Sequence, residues 1–527
     1  MRPTRSRLLV LAAAAALSTG FLPVSGADLA GVDVGLGVPS LTVADAPHNI
    51  EHVANITYEG RDGAAPNQGS DLEFATISVE RQIETPRGKG KGKGKAPARV
   101  ETVTEERTFA FAGAYTNGLQ IIDVTDPEAP ELVSVYDCAI AQGDVQVFER
   151  DGRWLVAYTR DSGYAAQTRT DSACFQEAEA LGFGSPGELG PGTFIADVTD
   201  PLAPTLASFV SFPKGSHNQT VHPSGDYLYN SNSELIVSVV GEVGIEVVDI
   251  RDLSAPQQVA FVPLPIRPGL GTESHDITFN TEGTRAYSAA LSQTVIIDTT
   301  DPAAPELISS FVDPMINVEH QASPITIDDP ILGERDFLIV EDEVAGASPT
   351  GQCPNGGVHV YDVTGDREQN PVKVGYWNVA LFGPTTDGLG TCTAHVFELH
   401  EDEQLMTIAF YNGGVRVVDL SGLVGVALGD TGVGMREVAS FRFEDADTWA
   451  VKAPSVDRDG VFHIFGNDQR RGFDAYRVDL SEGTDAAADA GTPGRWFSPA
   501  EFDELAAILP TVDPSELGPF RCLLPRD

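Results

Sequence analysis

Leu119-Gln120-Ile121-Ile122-Asp123-Val124-Thr125-Asp126-Pro127-Glu128-Ala129-Pro130-Glu131-Leu132 is the stretch on which the fold turns. Its first half is an apolar alternating strand that ends in Asp123. Asp-Pro-Glu-Ala-Pro is a tight turn: proline sets φ, and the aspartate accepts hydrogen bonds from nearby backbone N–H groups. Glu131 then opens a second strand, to Tyr136. The same unit returns at Phe194–Val198, Ile245–Ile250, Val295–Thr299, Val358–Val363, Val415–Leu420 and Ala475–Leu480. The aspartates that end its first strand are Asp123, Asp197, Asp249, Asp298, Asp362, Asp419 and Asp479, spaced 74, 52, 49, 64, 57 and 60 residues apart.

Seven strand-only repeats of this length predict an all-β, seven-bladed β-propeller over residues 45–482. The recurrent strand is third from the channel and the one after the turn is the outermost. The stretch before each copy supplies the two inner strands, as in His275 to Tyr287. The last copy lacks an outer strand, whereas Ile50 to Tyr58 resembles an outer strand without a blade. The reading is therefore a ring closed by its N-terminal strand, which removes two aggregation-prone sheet edges. The repeat aspartates are read as structural.

The segments Leu119-Gln-Ile-Ile-Asp-Val, Ile245-Glu-Val-Val-Asp-Ile and Val415-Arg-Val-Val-Asp-Leu resemble the LVIVD repeat family. That family is found mainly in exported or surface proteins of bacteria and archaea and is expected to form propellers. The resemblance implies a fold and carries no activity.

Residues 1–27 read as a signal peptide: Arg2, Arg5 and Arg7, an apolar run from Leu8 to Leu17, then Ser25-Gly26-Ala27. No later stretch is apolar for long enough to cross a bilayer as a helix. The expectation is a secreted protein, extracellular or at the cell surface. With 77 acidic against 34 basic residues and a net charge of −43, it repels nucleic acid. Residues 86–99 form a Gly/Lys-rich insertion in the first hairpin of blade 1, residues 483–497 a linker, and residues 498–527 a tail with a short helix from Ser498 to about Leu509.

Of the five cysteines, Cys138 and Cys392 fall in connections between blades, and Cys174 and Cys353 in long loops between second and third strands. Such connections share one face of a propeller. The pairing predicted is Cys138–Cys174 and Cys353–Cys392, with Cys522 left over.

Four neighbouring blades, 3 to 6, begin their inner strand with histidine: His217, His275, His320 and His395. Equivalent positions lie at one height beside the channel, so the four imidazoles are candidate ligands for one transition metal (Fe, Cu or Zn). Glu273 and Glu319, beside two of them, are candidates for orienting ring N–H groups. In blades 1 and 2 the register is open by one residue, leaving Asp71 and Asp144 as further candidates; blade 7 offers Trp449. The arrangement is similar to that of the carotenoid oxygenases, seven-bladed propellers with four iron-binding channel histidines, but no wider match supports carrying that activity over. The alternative is that each histidine only hydrogen-bonds backbone or channel water. His48, His52, His222, His359, His400 and His463 are assigned to surface or packing. No nucleophile elbow, phosphate loop or zinc-protease motif is present.

Two functions follow. The favoured one is an extracellular binding scaffold whose loop-rich channel face recognises a protein or glycan. The alternative is a metal-dependent enzyme, an oxidoreductase or hydrolase, using the four histidines.

Overall fold

The computed structural model describes residues 42–44, 46–85, 99–140, 142–161, 169–233, 242–267, 271–343, 356–379, 392–424 and 435–484. The chain divides into units 1–38 and 39–527, and every described residue lies in the second. The expected signal peptide, most of the Gly/Lys insertion, the linker from residue 485 onward, the tail, Cys353 and Cys522 lie outside the described residues.

Seven antiparallel four-stranded sheets make seven blades. Their innermost strands are Leu72–Thr85, Gln142–Arg150, Asn218–Val221, Asp276–Phe279, Glu319–Asp329, His395–His400 and Thr448–Lys452. Each lies against the next, and Thr448–Lys452 returns to Leu72–Thr85, so the ring is complete. Between blades, the alternating apolar side chains interdigitate. Ile245 and Val247 of blade 3, for example, pack with Ile277, Val295 and Ile297 of blade 4.

All seven repeat aspartates do the same local job. Each accepts the backbone N–H two residues on, at 2.9–3.1 Å, which folds the chain out of the third strand. In blades 1 to 6 a register shift in the pairing of third and fourth strands sits one to two residues before the aspartate and strengthens the twist there. One α-helix occurs among the described residues, Ala173–Leu181, between the second and third strands of blade 2. The Cys138–Cys174 disulfide, Cα atoms 5.1 Å apart, ties it to the connection from blade 1. Cys392 is also disulfide-bonded.

The last blade is completed from the other end of the chain. Strand Ile50–Ile56 pairs antiparallel with Gly472–Asp479, Ile50 opposite Val478 and Ile56 opposite Phe473. A buried carboxylate locks this seam. Asp474 lies 2.7 Å from His52 Nε2 and accepts from Asn55 Nδ2 at 2.9 Å and Arg471 Nε at 2.8 Å. Burial alone raises this carboxyl, but the His52 hydrogen bond and the Arg471 charge outweigh it and hold Asp474 below the usual carboxylate range. His52, read from sequence as surface or packing, is thus part of the closure. Among the described residues no helix is long and apolar enough to cross a membrane.

Deleting residues 42–56 bares the edge of Gly472–Asp479. The variant is expected to melt roughly 5 °C or more below the parent and to self-associate with rising concentration, by calorimetry and light scattering. An unchanged melting point in a monomeric variant would contradict the closure.

Candidate metal centre

Backbone pairing sets the height of the histidines. The His217 N–H donates to Ser231 O and the His275 N–H to Ala289 O, each at 2.7 Å, tying the start of each inner strand to the end of its neighbour. His320 and His395 begin the inner strands of blades 5 and 6. All four side chains are buried and form one run of rings. Centroid separations are 4.4 Å for His217–His275, 4.0 Å for His275–His320 and 4.4 Å for His320–His395. The Nε2 atoms of His217 and His275 are 2.9 Å apart.

The opposite ring nitrogens are held from outside. His217 Nδ1 is 2.7 Å from Asp161 Oδ2, His320 Nδ1 is 2.9 Å from Glu341 Oε2, and His395 Nδ1 is 2.6 Å from the Trp449 carbonyl. A carbonyl only accepts, so His395 carries its proton on Nδ1 and turns the Nε2 lone pair inward. A carboxyl group at Nδ1 is the usual partnership behind metal-ligating histidines, and burial pushes that of Glu341 well above the usual carboxylate range. Burial pushes His275 well below the usual imidazole range, and the neighbouring His320, His217 and His395 push it the same way; burial also lowers His320. Neutral imidazole is the form that ligates.

Glu343 adds a carboxylate to this cluster. Its oxygens lie 3.9 Å from His320 Nε2 and 4.0 Å from His395 Nε2, and Oε1 accepts from the Tyr411 hydroxyl at 2.8 Å. Among the described residues, His320, Glu343 and His395 are the group whose ligand atoms all fall within 4.8 Å of one another. Tyr411 and Trp449 enclose His395, each with ring centroids 4.5 Å from it.

The other sequence candidates go elsewhere. Glu273 pairs with Lys214 and accepts the Gly244 N–H at 2.9 Å. Glu319 accepts from the Thr294 hydroxyl, and burial pushes its carboxyl up to about 8. The expected orienting role on the ring nitrogens is therefore filled by Asp161 and Glu341 instead. Both stand at the end of a second strand, as does Glu343, opposite the start of the inner one; that placement was the readable signal. Asp71 and Asp144 lie further along the channel. Asp71 pairs with Lys452 at 3.0 Å and Asp144 accepts the Gln219 N–H at 3.0 Å. Both line a cavity of about 340 Å³ that also touches His275, His320 and His395. It extends to Thr281 and Glu401, which are exposed at the turns between first and second strands. Burial holds two more lining carboxyls high, Asp276 at about 6 and Glu398 at about 7.

Comparison with known proteins bears on the repeat. A sequence model of the LVIVD repeat matches residues 108–138. The chain carries an LVIVD repeat. The matched segment holds Leu119–Asp123 and Glu131–Tyr136, the third and fourth strands of blade 1, so the LVIVD unit is the outer half of a blade. No curated protein matches the sequence. Among solved structures, the periplasmic gluconolactonase PpgL of Pseudomonas aeruginosa aligns at 12% identity and TM-score 0.44, covering 73% of this chain and 96% of that one. The Cps50 (Swd1) β-propeller domain of Myceliophteria thermophila aligns at 9% identity and TM-score 0.42, covering 70% and 92%.

In metal-free protein, ¹⁵N NMR is expected to show His395 as the Nδ1–H tautomer and His275 still neutral as the pH falls through about 6.5. Below that pH the unfolded chain takes a proton that folded His275 refuses, so its contribution to stability is complete above about 6.5 and declines on acidification. A His275 titration near 6.5 would contradict the geometry.

Proposed function

We propose that this LVIVD-repeat propeller is a metal-dependent enzyme whose transition-metal ion is held by His217, His275, His320 and His395. The observation that carries the reading is the run of four buried imidazoles, three with Nδ1 held from outside and two with Nε2 atoms 2.9 Å apart. That 2.9 Å contact is a hydrogen bond between the two rings, which an ion shared by the two nitrogens would replace. Asp161, Glu341 and Glu343 place three buried carboxyl groups beside these rings, and burial pushes that of Glu341 well above the usual carboxylate range, a shift that a bound cation would offset. Among the described residues the second oxygen of buried Glu341 meets no hydrogen-bond donor, a costly state for a carboxylate unless positive charge is near.

An ion there faces the channel cavity, where it serves as a Lewis acid or redox centre for a small molecule, as in a hydrolase or oxidoreductase. The scaffold reading relies on the long loops of the histidine face, much of which lies outside the described residues; the cavity runs instead toward the opposite turns. Export to an oxidising compartment is part of the proposal, supported by the leader-like N-terminus, the LVIVD repeat and the Cys138–Cys174 disulfide.

Elemental analysis of purified protein, and of chelated protein offered Fe(II), Cu(II) or Zn(II), is expected to find one ion per chain. The variant with all four histidines changed to alanine should bind none. A parent that stays metal-free after reconstitution would end the proposal.

A further inference from the structure

Resting on that four-histidine site, we infer that the channel cavity beside it takes the substrate as a small organic cation: a primary amine whose ammonium lies between Asp144 and Asp276 and whose oxygen function faces the histidines.

The inner strands use most of their channel side chains to hold the ring together, and every junction between neighbouring blades has such a link. Asp71 accepts the Val145 N–H at 3.3 Å, and Asp144 the Gln219 N–H at 3.0 Å. The Thr220 hydroxyl donates to Ile277 O at 2.6 Å, and the Thr278 and Ser323 hydroxyls are 3.2 Å apart. Gln321 clasps the Phe397 backbone at 2.8 and 3.0 Å, and Glu398 accepts the Ala453 N–H at 2.8 Å. Lys452, the one lysine or arginine among the described residues of the cavity wall, closes the circle onto Asp71 at 3.0 Å and Glu73 at 2.8 Å. The links also fix register. Asp71 takes the N–H of the residue after Asp144, and Asp144 that of the residue after Asn218, so these three stand at one step of neighbouring strands. Asp276 follows His275 as Asn218 follows His217, which adds blade 4 to that step.

The groups left over define the ligand. Lys452 neutralises Asp71. Asp144 and Asp276 also line the cavity, with Asn218 between them, and among the described residues neither forms an ion pair. Their donors are backbone N–H groups, of Gln219 at 3.0 Å and Ile277 at 2.7 Å. Burial, then the charges of Asp71 and Asp276, hold Asp144 well above the usual carboxylate range. A cation between Asp144 and Asp276 reverses that repulsion. An ammonium has three N–H donors, enough for both carboxylates and the Asn218 side-chain oxygen. Toward the histidines, Trp449 is 4% exposed, lines the cavity and lies 4.5 Å from the His395 ring. Among the described residues its indole N–H meets no acceptor. An indole only donates, so it calls for an oxygen on the ligand at that end. A cavity of about 340 Å³ admits a small ligand only. Exposed Glu401 at its far end draws cations in and turns anions away.

The test uses the full chain, chelated and reconstituted, and titrates it by calorimetry with probes of equal length: 4-amino-1-butanol, 1,4-butanediol and 4-hydroxybutanoate. The amine is expected to bind the parent about 10-fold or more tightly than the diol, and the acid not measurably. Asp144→Asn and Asp276→Asn each keep an oxygen for the backbone N–H. Either should weaken amine binding by about 10-fold and leave diol binding as it is. Melting curves show whether these variants keep the fold. Asn218→Asp, which adds a carboxylate at the same step, is the second variant and should tighten amine binding. Equal binding of amine and diol, preference for the acid, or no binding of the amine overturns the inference, whatever the metal content. Selective amine binding by a parent that takes up no metal leaves the cation site standing and ends the four-histidine reading.

Discussion

A ring of sheets has one seam where the chain cannot close on its nearest neighbour, and here it is sealed by Ile50–Ile56 lying on Gly472–Asp479. That pairing brings residues more than 400 positions apart into one sheet, and its loop-closure cost is recovered only when the whole ring forms. Buried Asp474 makes the seam specific. It joins His52 and Asn55 of the first strand to Arg471 of the last blade, and losing any one partner leaves charge or a polar group stranded in the interior.

Once the ring is closed, geometry does the rest. Seven blades crowd their inner strands around one axis, so residues at the same step of neighbouring strands meet whether or not they attract one another. In blades 3 to 6 that step is histidine. Four imidazoles buried in contact would be a poor use of a core without partners. Asp161, Glu341 and the Trp449 carbonyl hold three of them in place from behind. Strands rather than loops carry these rings, which gives them the rigidity that the proposed metal coordination needs.

The sequence made the periodic features readable. Seven aspartates, the turns behind them, the orphan N-terminal strand and the histidines opening four inner strands all come from position within a repeat. The site's carboxylates were harder to read because their closeness depends on cross-strand register. Glu319 precedes His320 by one residue on a strand, so it faces the other side and finds Thr294. Glu341 lies 21 residues away and reaches the His320 ring because a register shift near Glu319 brings the end of the second strand level with it. Glu273 sits ahead of its strand and turns to Lys214. Tyr411 lies in a turn whose left-handed backbone would ordinarily suggest glycine or asparagine, so no composition rule draws attention to it.

The central claim is that four channel imidazoles share one ion. X-ray absorption at the metal edge of the reconstituted protein tests it most directly. The account predicts a first shell of nitrogen and oxygen at about 2.0–2.2 Å with the outer-shell scattering of several imidazole rings. A shell of oxygen alone, or one with sulfur and no imidazole signature, would contradict it.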